Sequence, residues 1–201
     1  MTDNNISLFT QSADELRQIV HDVNPQLEFI RDLHPTASSC RTLLVKHEDK
    51  EAILKVRKVS NNVWDNTYFY FEIHALRRVA ERNLDHVTHL LGEFRTERYH
   101  AILKTFASGT PLNLLDYEKL LKDADFIRKL DKLYMKLHLA GIAKIHFQPR
   151  KIVVSPDDEL TLVDLSTCIV NTECGISHFS LEMRRDSRFI TSLEKAAQKA
   201  A

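Results

Sequence analysis

The chain has 201 residues, 43% of them hydrophobic, and its 28 basic and 28 acidic side chains cancel, so no overall field recruits nucleic acid or an anionic membrane. No apolar run approaches the about 20 residues that span a bilayer, and the polar start MTDNNISLFT lacks the basic-then-apolar pattern of a secretory leader. Cys40, Cys168 and Cys174 are an odd set without CxxC spacing, and the ten histidines contain no HExxH pattern, which argues against a disulfide framework or zinc site and for a cytoplasmic protein with reduced thiols.

Leu16, Ile19, Val20 and Val23 share one helical face, and Asn24-Pro25 breaks that helix. Residues 26–59 change to strand texture. Leu27, Phe29 and Ile30 lead to Leu33, a mostly polar loop covers 34–39, and two apolar runs around Leu43 and Ala52 flank the charged turn 46–50 as an antiparallel hairpin. The spacing of Phe69, Ile73, Leu76 and Ala80 predicts a helix over 64–82, with Asp65 or Asn66 able to cap its start. Two short strands, 89–94 and 100–106, surround a polar turn. Gly109-Thr110-Pro111 marks a linker, with a helical stretch beginning near Leu112.

Phe126, Leu130, Leu133, Tyr134 and Leu137 predict a second amphipathic helix over 123–138, ended by Gly141. The apolar runs 151–154 and 160–163 flank Pro156-Asp157-Asp158-Glu159 and form a second hairpin. The tail, 180–201, is charged and helical in composition. A strand-rich half followed by a helix-rich half indicates an α+β fold in two lobes.

In order along the chain, several phrases resemble the protein-kinase-like superfamily. Ala52-Ile53-Leu54-Lys55 resembles its third-strand motif, which ends in the phosphate-binding lysine. Glu72 lies in the following helix, where the family places the glutamate that pairs with that lysine. Phe106-Ala107-Ser108-Gly109-Thr110-Pro111-Leu112 is similar to the hinge, and Leu137-His138-Leu139-Ala140-Gly141-Ile142 to the phrase before the catalytic loop. Val163-Asp164-Leu165-Ser166 resembles the strand that ends in the magnesium-binding DFG segment. The resemblance covers roughly residues 26–168. Its short length is most similar to compact bacterial relatives, the lipopolysaccharide-sugar kinases and RIO-like kinases. It implies one bilobal kinase-like domain, with an N-lobe over about 1–106 and a minimal C-lobe over 107–201.

Phosphoryl transfer needs neutralised phosphates, metal ions and an oriented nucleophile. The resemblance gives Lys55, paired with Glu72, the α/β-phosphates of ATP, and gives Asp164 a magnesium ion. An ordinary strand lysine and a turn-forming aspartate are the competing readings. The catalytic loop departs from the family. Lys144-Ile145-His146-Phe147-Gln148-Pro149-Arg150-Lys151 stands where relatives read HRDxxxxN, so His146 replaces the catalytic aspartate and Lys151 the metal-binding asparagine. An asparagine offers magnesium a carbonyl oxygen, whereas an ammonium has no lone pair, repels the cation and can touch phosphate directly. His146 can accept a proton near neutral pH. The segment 36–40, where relatives carry their phosphate loop, has no glycine; Ser38 and Ser39 are its candidate hydroxyl donors, with a plain solvated loop as the competing reading, and Ile53 stands where relatives carry a small alanine against adenine.

After Asp164 the chain leaves room for one further helix, about 178–198. Arg184, Arg185 and Arg188, interleaved with Glu182 and Asp186, are expected on its solvated surface. The resulting expectation is a pseudokinase that binds nucleotide and acts through a protein partner. An active ATP-dependent phosphotransferase on a lipopolysaccharide sugar, small molecule or protein is the alternative, and an unrelated α+β interaction module is a third reading.

Overall fold

Ser12 opens the first helix. Its hydroxyl accepts the Glu15 amide at 3.2 Å while the Glu15 carboxylate accepts the Ser12 amide at 2.7 Å, a reciprocal pair that satisfies two amides the helix leaves unbonded. Helix α1 (Ala13–Val23) buries Leu16, Ile19, Val20 and Val23, the expected stripe, and stops at Asn24, whose backbone is extended. The structure, a computed structural model, describes residues 12–33, 40–59 and 63–200; the side chains of 63–66 and 200, and the expected hydroxyl donors Ser38 and Ser39, lie outside the described residues.

Strands β1 (Glu28–Asp32), β2 (Arg41–His47), β3 (Lys50–Lys58), β4 (Leu90–Arg95) and β5 (Tyr99–Thr105) form one antiparallel sheet in the order β1-β2-β3-β5-β4. The charged turn between β2 and β3 tightens to two residues, Glu48 and Asp49, both left-handed at φ 49° and 62°. Two successive residues of that kind match the right-handed twist of a hairpin, and His47 pairs with Lys50. The two-residue period of β3 then sorts its side chains. Ala52, Leu54 and Val56 join Leu43, Val45, Leu103 and the α1 stripe in one core. Ile53 and Lys55 point to the other face, and Lys55 stands in register with Thr42 and Ile102.

Helix α2 (Val63–Glu81) begins earlier than the capping pattern suggests, so Asp65 and Asn66 fall within its first turn rather than ahead of it. Phe69, Ile73 and Leu76 are buried as the spacing requires. Ala80, however, is exposed and Val79 is buried instead. A 3.6-residue period leaves both positions near the stripe, and the larger apolar side chain takes the interior.

By its packing the chain separates into two compact units, Met1–Asn66 with Leu90–Phe106, and Thr67–His89 with Ala107–Ala201. The first holds α1 and the five-stranded sheet. The second holds α3 (Tyr117–Leu120), α4 (Ala124–Leu139) and α5 (Ile176–Ala200), together with short strands β6 (Thr110–Pro111), β7 (Ile142–Ala143), β8 (Ile152–Val154), β9 (Leu160–Leu162) and β10 (Ile169–Val170). These strands make two small antiparallel sheets, β6-β8-β9 and β10-β7.

Two glycines are required where they stand. Gly109, at φ 137°, precedes β6, and a Cβ there would sit 2.3 Å from the Val154 carbonyl oxygen. Gly109→Ala therefore adds a clash with backbone to a disfavoured φ and is expected to cost about 2–3 kcal/mol. A urea midpoint unchanged from the parent would show that the strand pair moves apart freely. Gly141, at φ 82°, ends α4, and its Cβ would meet Asn171 Oδ1 at 2.6 Å. Its amide donates to the His138 carbonyl and its carbonyl accepts the Asn171 amide, both at 2.9 Å, the left-handed helix stop that the sequence predicts. At the other end Asp123 caps α4 by accepting the Asp125 and Phe126 amides, and Phe126, Leu130, Leu133, Tyr134 and Leu137 are all buried.

Helix α5 corrects one expectation. Arg184, Arg185 and Arg188 are exposed, and Arg185 pairs with Glu182 at 2.7 Å. Glu182 and Asp186, expected on the solvated surface, are buried. Helical spacing aligns both with the buried Phe179 and Ile190, so they belong to the inward face. The described residues thus form a mixed α+β fold, in which no helix is long and apolar enough to cross a membrane. Cys40, Cys168 and Cys174 form no disulfide.

Candidate functional site

The segment from Gly141 to Lys151 leaves α4 and β7 as a loop with an unusual backbone. Lys144 at φ 60° and His146 at φ 46° are both left-handed, a conformation that costs a side-chain-bearing residue about 1 kcal/mol or more. Between them, the Ile145 amide donates to both carboxylate oxygens of Asp186 at 3.2 Å each. The same carboxylate lies 3.1 Å from Nε2 of His138 on α4. Asp186 is 5% exposed, so one buried carboxylate on α5 joins the loop to the end of α4. Its charge, after burial itself, helps push the Tyr134 hydroxyl well above the usual tyrosine range. Phe147 stacks on Phe189 of α5 with ring centroids 5.2 Å apart, holding the next stretch of loop.

Pro149 then starts a single 3-10 turn, Pro149–Lys151, a position where its missing N–H is not needed. The turn delivers Lys151 into the interior with its side chain 4% exposed. Its ammonium donates to Thr167 Oγ1 at 3.0 Å and stands 3.9 Å from Asp164 Oδ1. The Val163 amide donates to the Lys151 carbonyl at 2.8 Å, which ties the end of the β8–β9 hairpin to the loop. Asp164 follows, 30% exposed, and its Oδ1 accepts the Ser166 amide at 2.8 Å. It is a turn former and the charge partner of Lys151 at once.

Cys168, fully buried, reports the charges around this pair. Burial pushes its thiol well above the usual range; Lys151 pulls against that, while Asp164, Asp186 and Glu72 add to it. Glu72 is completely buried on α2. Of the residues singled out from sequence, the second unit brings Lys151 and Asp164 together. His146 is exposed, and its side chain has no hydrogen-bond or ion-pair partner among the described residues. Lys55 is half-buried on β3 of the first unit, on the same sheet face as Ile53.

The expected magnesium does not fit the side chains around Asp164. Magnesium demands oxygen ligands at about 2.1 Å, so an ion on Asp164 Oδ1 would lie within about 6 Å of the Lys151 ammonium. At an effective dielectric of about 20 that repulsion is of order 5 kcal/mol, and the ammonium offers no lone pair in return. Among the described residues no group of three or more histidine, cysteine, aspartate or glutamate side chains is placed to hold a metal ion.

Asp186 and Thr167 were missed at the level of sequence. An acidic residue in line with Phe179 and Ile190 was a readable signal for the first. For Thr167, three residues beyond Asp164, there was none. No model of a known protein family matches this chain, and no curated protein does.

Proposed function

We propose that this chain is a bilobal, protein-kinase-like domain of the compact bacterial type and works as a pseudokinase, a nucleotide-binding module that acts through a protein partner. The observation that carries the reading is the end of the 144–151 loop. There, the residue in the place of a metal ligand is a buried lysine, hydrogen-bonded to Thr167 and paired with Asp164. Such a loop lacks the ordinary apparatus for transferring a phosphoryl group. The order of parts supports the same reading: Lys55 on a central strand, Glu72 buried on the helix that follows, and the β8–β9 hairpin between the loop and Asp164.

A thermal melt with ATP tests it. Ligand at ten times its Kd stabilises by about 1.4 kcal/mol, which for a chain of this size raises Tm by about 3–6 °C. Lys55→Met should remove most of that rise. Absence of any rise at millimolar ATP, with magnesium and without it, would remove nucleotide binding from the proposal.

The exposure of His146 favours one other reading. An exposed imidazole at the loop position of the missing aspartate is accessible to a substrate hydroxyl, as a general base must be. On that reading the chain is an active phosphotransferase on a lipopolysaccharide sugar, small molecule or protein. Transfer of radiolabelled γ-phosphate by the purified protein, abolished in His146→Ala, would replace the pseudokinase assignment.

A further inference from the structure

An ammonium has three N–H donors and no acceptor. That of Lys151 is buried, and among the described residues it makes one hydrogen bond, to Thr167 Oγ1 at 3.0 Å. Asp164 Oδ1, at 3.9 Å, lies outside hydrogen-bond reach and acts on it through charge alone. That oxygen already accepts the Ser166 amide. A buried charge is costly unless it is paired and hydrogen-bonded, and here the protein supplies one hydrogen bond and one carboxylate at ion-pair distance. Lys151 also enters with its backbone fixed on both sides, by the Gln148 carbonyl that accepts its amide and by the Val163 amide that donates to its carbonyl, at 2.9 and 2.8 Å. The turn and the hairpin therefore fix the backbone from which the Lys151 side chain reaches toward Asp164.

We infer that the Lys151 ammonium is the resident cation of this site, standing beside Asp164 in place of a divalent ion, and that the site takes the phosphate chain of a nucleotide free of metal. This rests on the nucleotide-binding reading for its ligand, though not for its exclusion of metal. A phosphate oxygen is an anionic acceptor that suits an ammonium donor. A nucleotide carrying magnesium would bring a second positive centre toward the ammonium and would already have spent the charge of the oxygens that Lys151 binds. The ligand class is thus the uncomplexed nucleoside di- or triphosphate, and divalent ions compete with the protein for it.

Two measurements on the full chain test this separately. In the first, the intact protein and Lys151→Asn are titrated with Mn2+ alone, and unbound Mn2+ is followed by electron paramagnetic resonance. The intact protein should bind none at millimolar Mn2+, whereas Lys151→Asn, which restores a carbonyl oxygen, should bind at least about tenfold more tightly. Addition of Asp164→Asn should remove that gain. Binding by the intact protein that Asp164→Asn abolishes would overturn the inference. So would a Lys151→Asn variant that has a native circular dichroism spectrum and gains no Mn2+.

In the second, ATP affinity is measured calorimetrically in EDTA and in excess magnesium. The intact protein should bind at least as tightly in EDTA, and Lys151→Asn should favour magnesium by about tenfold or more. Tenfold tighter binding by the intact protein in magnesium would also overturn it, whether or not the variant folds. Failure of ATP to bind in either condition would remove the nucleotide-binding reading, and the proposed ligand with it, while the Mn2+ titration would still decide the role of Lys151.

Discussion

Asp186→Ala is expected to lower the unfolding free energy by about 3–5 kcal/mol, the range for removing one member of a buried charged network. The carboxylate accepts the Ile145 amide through both oxygens and faces His138 Nε2 at 3.1 Å. Alanine would leave that buried amide without its acceptor, at a cost of about 1–3 kcal/mol alone, and would empty the volume between α4, α5 and the loop. Asp186→Asn keeps an oxygen for the Ile145 amide and should lose about half as much. Urea unfolding gives the size of the effect. Amide hydrogen exchange gives its place, since the Ile145 amide should lose protection before the α4 core does. Equal protection of Ile145 in the parent and in Asp186→Ala would show that the loop is held in some other way.

Leu54→Ala is expected to cost about 3–4 kcal/mol. Leu54 is fully buried at the middle of β3, in register with Leu43 on one side and Leu103 on the other, both also without exposure. The α1 stripe covers the same cluster, so the surroundings have little room to collapse into the gap. Ile53→Ala, on the opposite face and 9% exposed, is the comparison and should cost less, about 2 kcal/mol. A chemical denaturation series on the two variants checks the order; the reverse order would place the dominant packing of β3 on the Lys55 face.

The parts legible in the sequence are those in which period and turn chemistry agree. Leu16, Ile19, Val20 and Val23 are spaced for one face and all are buried; Asp123 and Gly141 bracket α4 with residue types suited to its two ends. The hairpins were equally readable, because two apolar runs around a short polar turn have few other uses. Charge on a helix was not. Glu182 and Asp186 lie among three arginines in a charged tail, where composition suggests solvation; only their alignment with Phe179 and Ile190 marks them as inward-facing, and a distant backbone amide holds Asp186 there. The candidate site divides the same way. His146 and Lys151 drew notice in the sequence through a resemblance, but the hydroxyl of Thr167 reaches Lys151 only through the fold of the turn after Asp164. Ala80 and Val79 show a smaller limit: adjacent apolar residues near one stripe are separated by side-chain size, which spacing alone does not weigh.

The division of the chain into its two units bears on the order in which it folds. The first unit is discontinuous, since residues 67–89 between its strands belong with the second. Synthesis proceeds from the N-terminus, and domains form as their parts emerge. The core of α1 and the five-stranded sheet is drawn entirely from residues 16–103, so it can close before α4 and α5 have been made. Helix α2 emerges in the middle of that process with Phe69, Ile73 and Leu76 on its stripe, while the rest of its own unit begins only at Ala107. For the time taken to add the last half of the chain, the core of the first unit can therefore stand complete while most of the second has yet to be made.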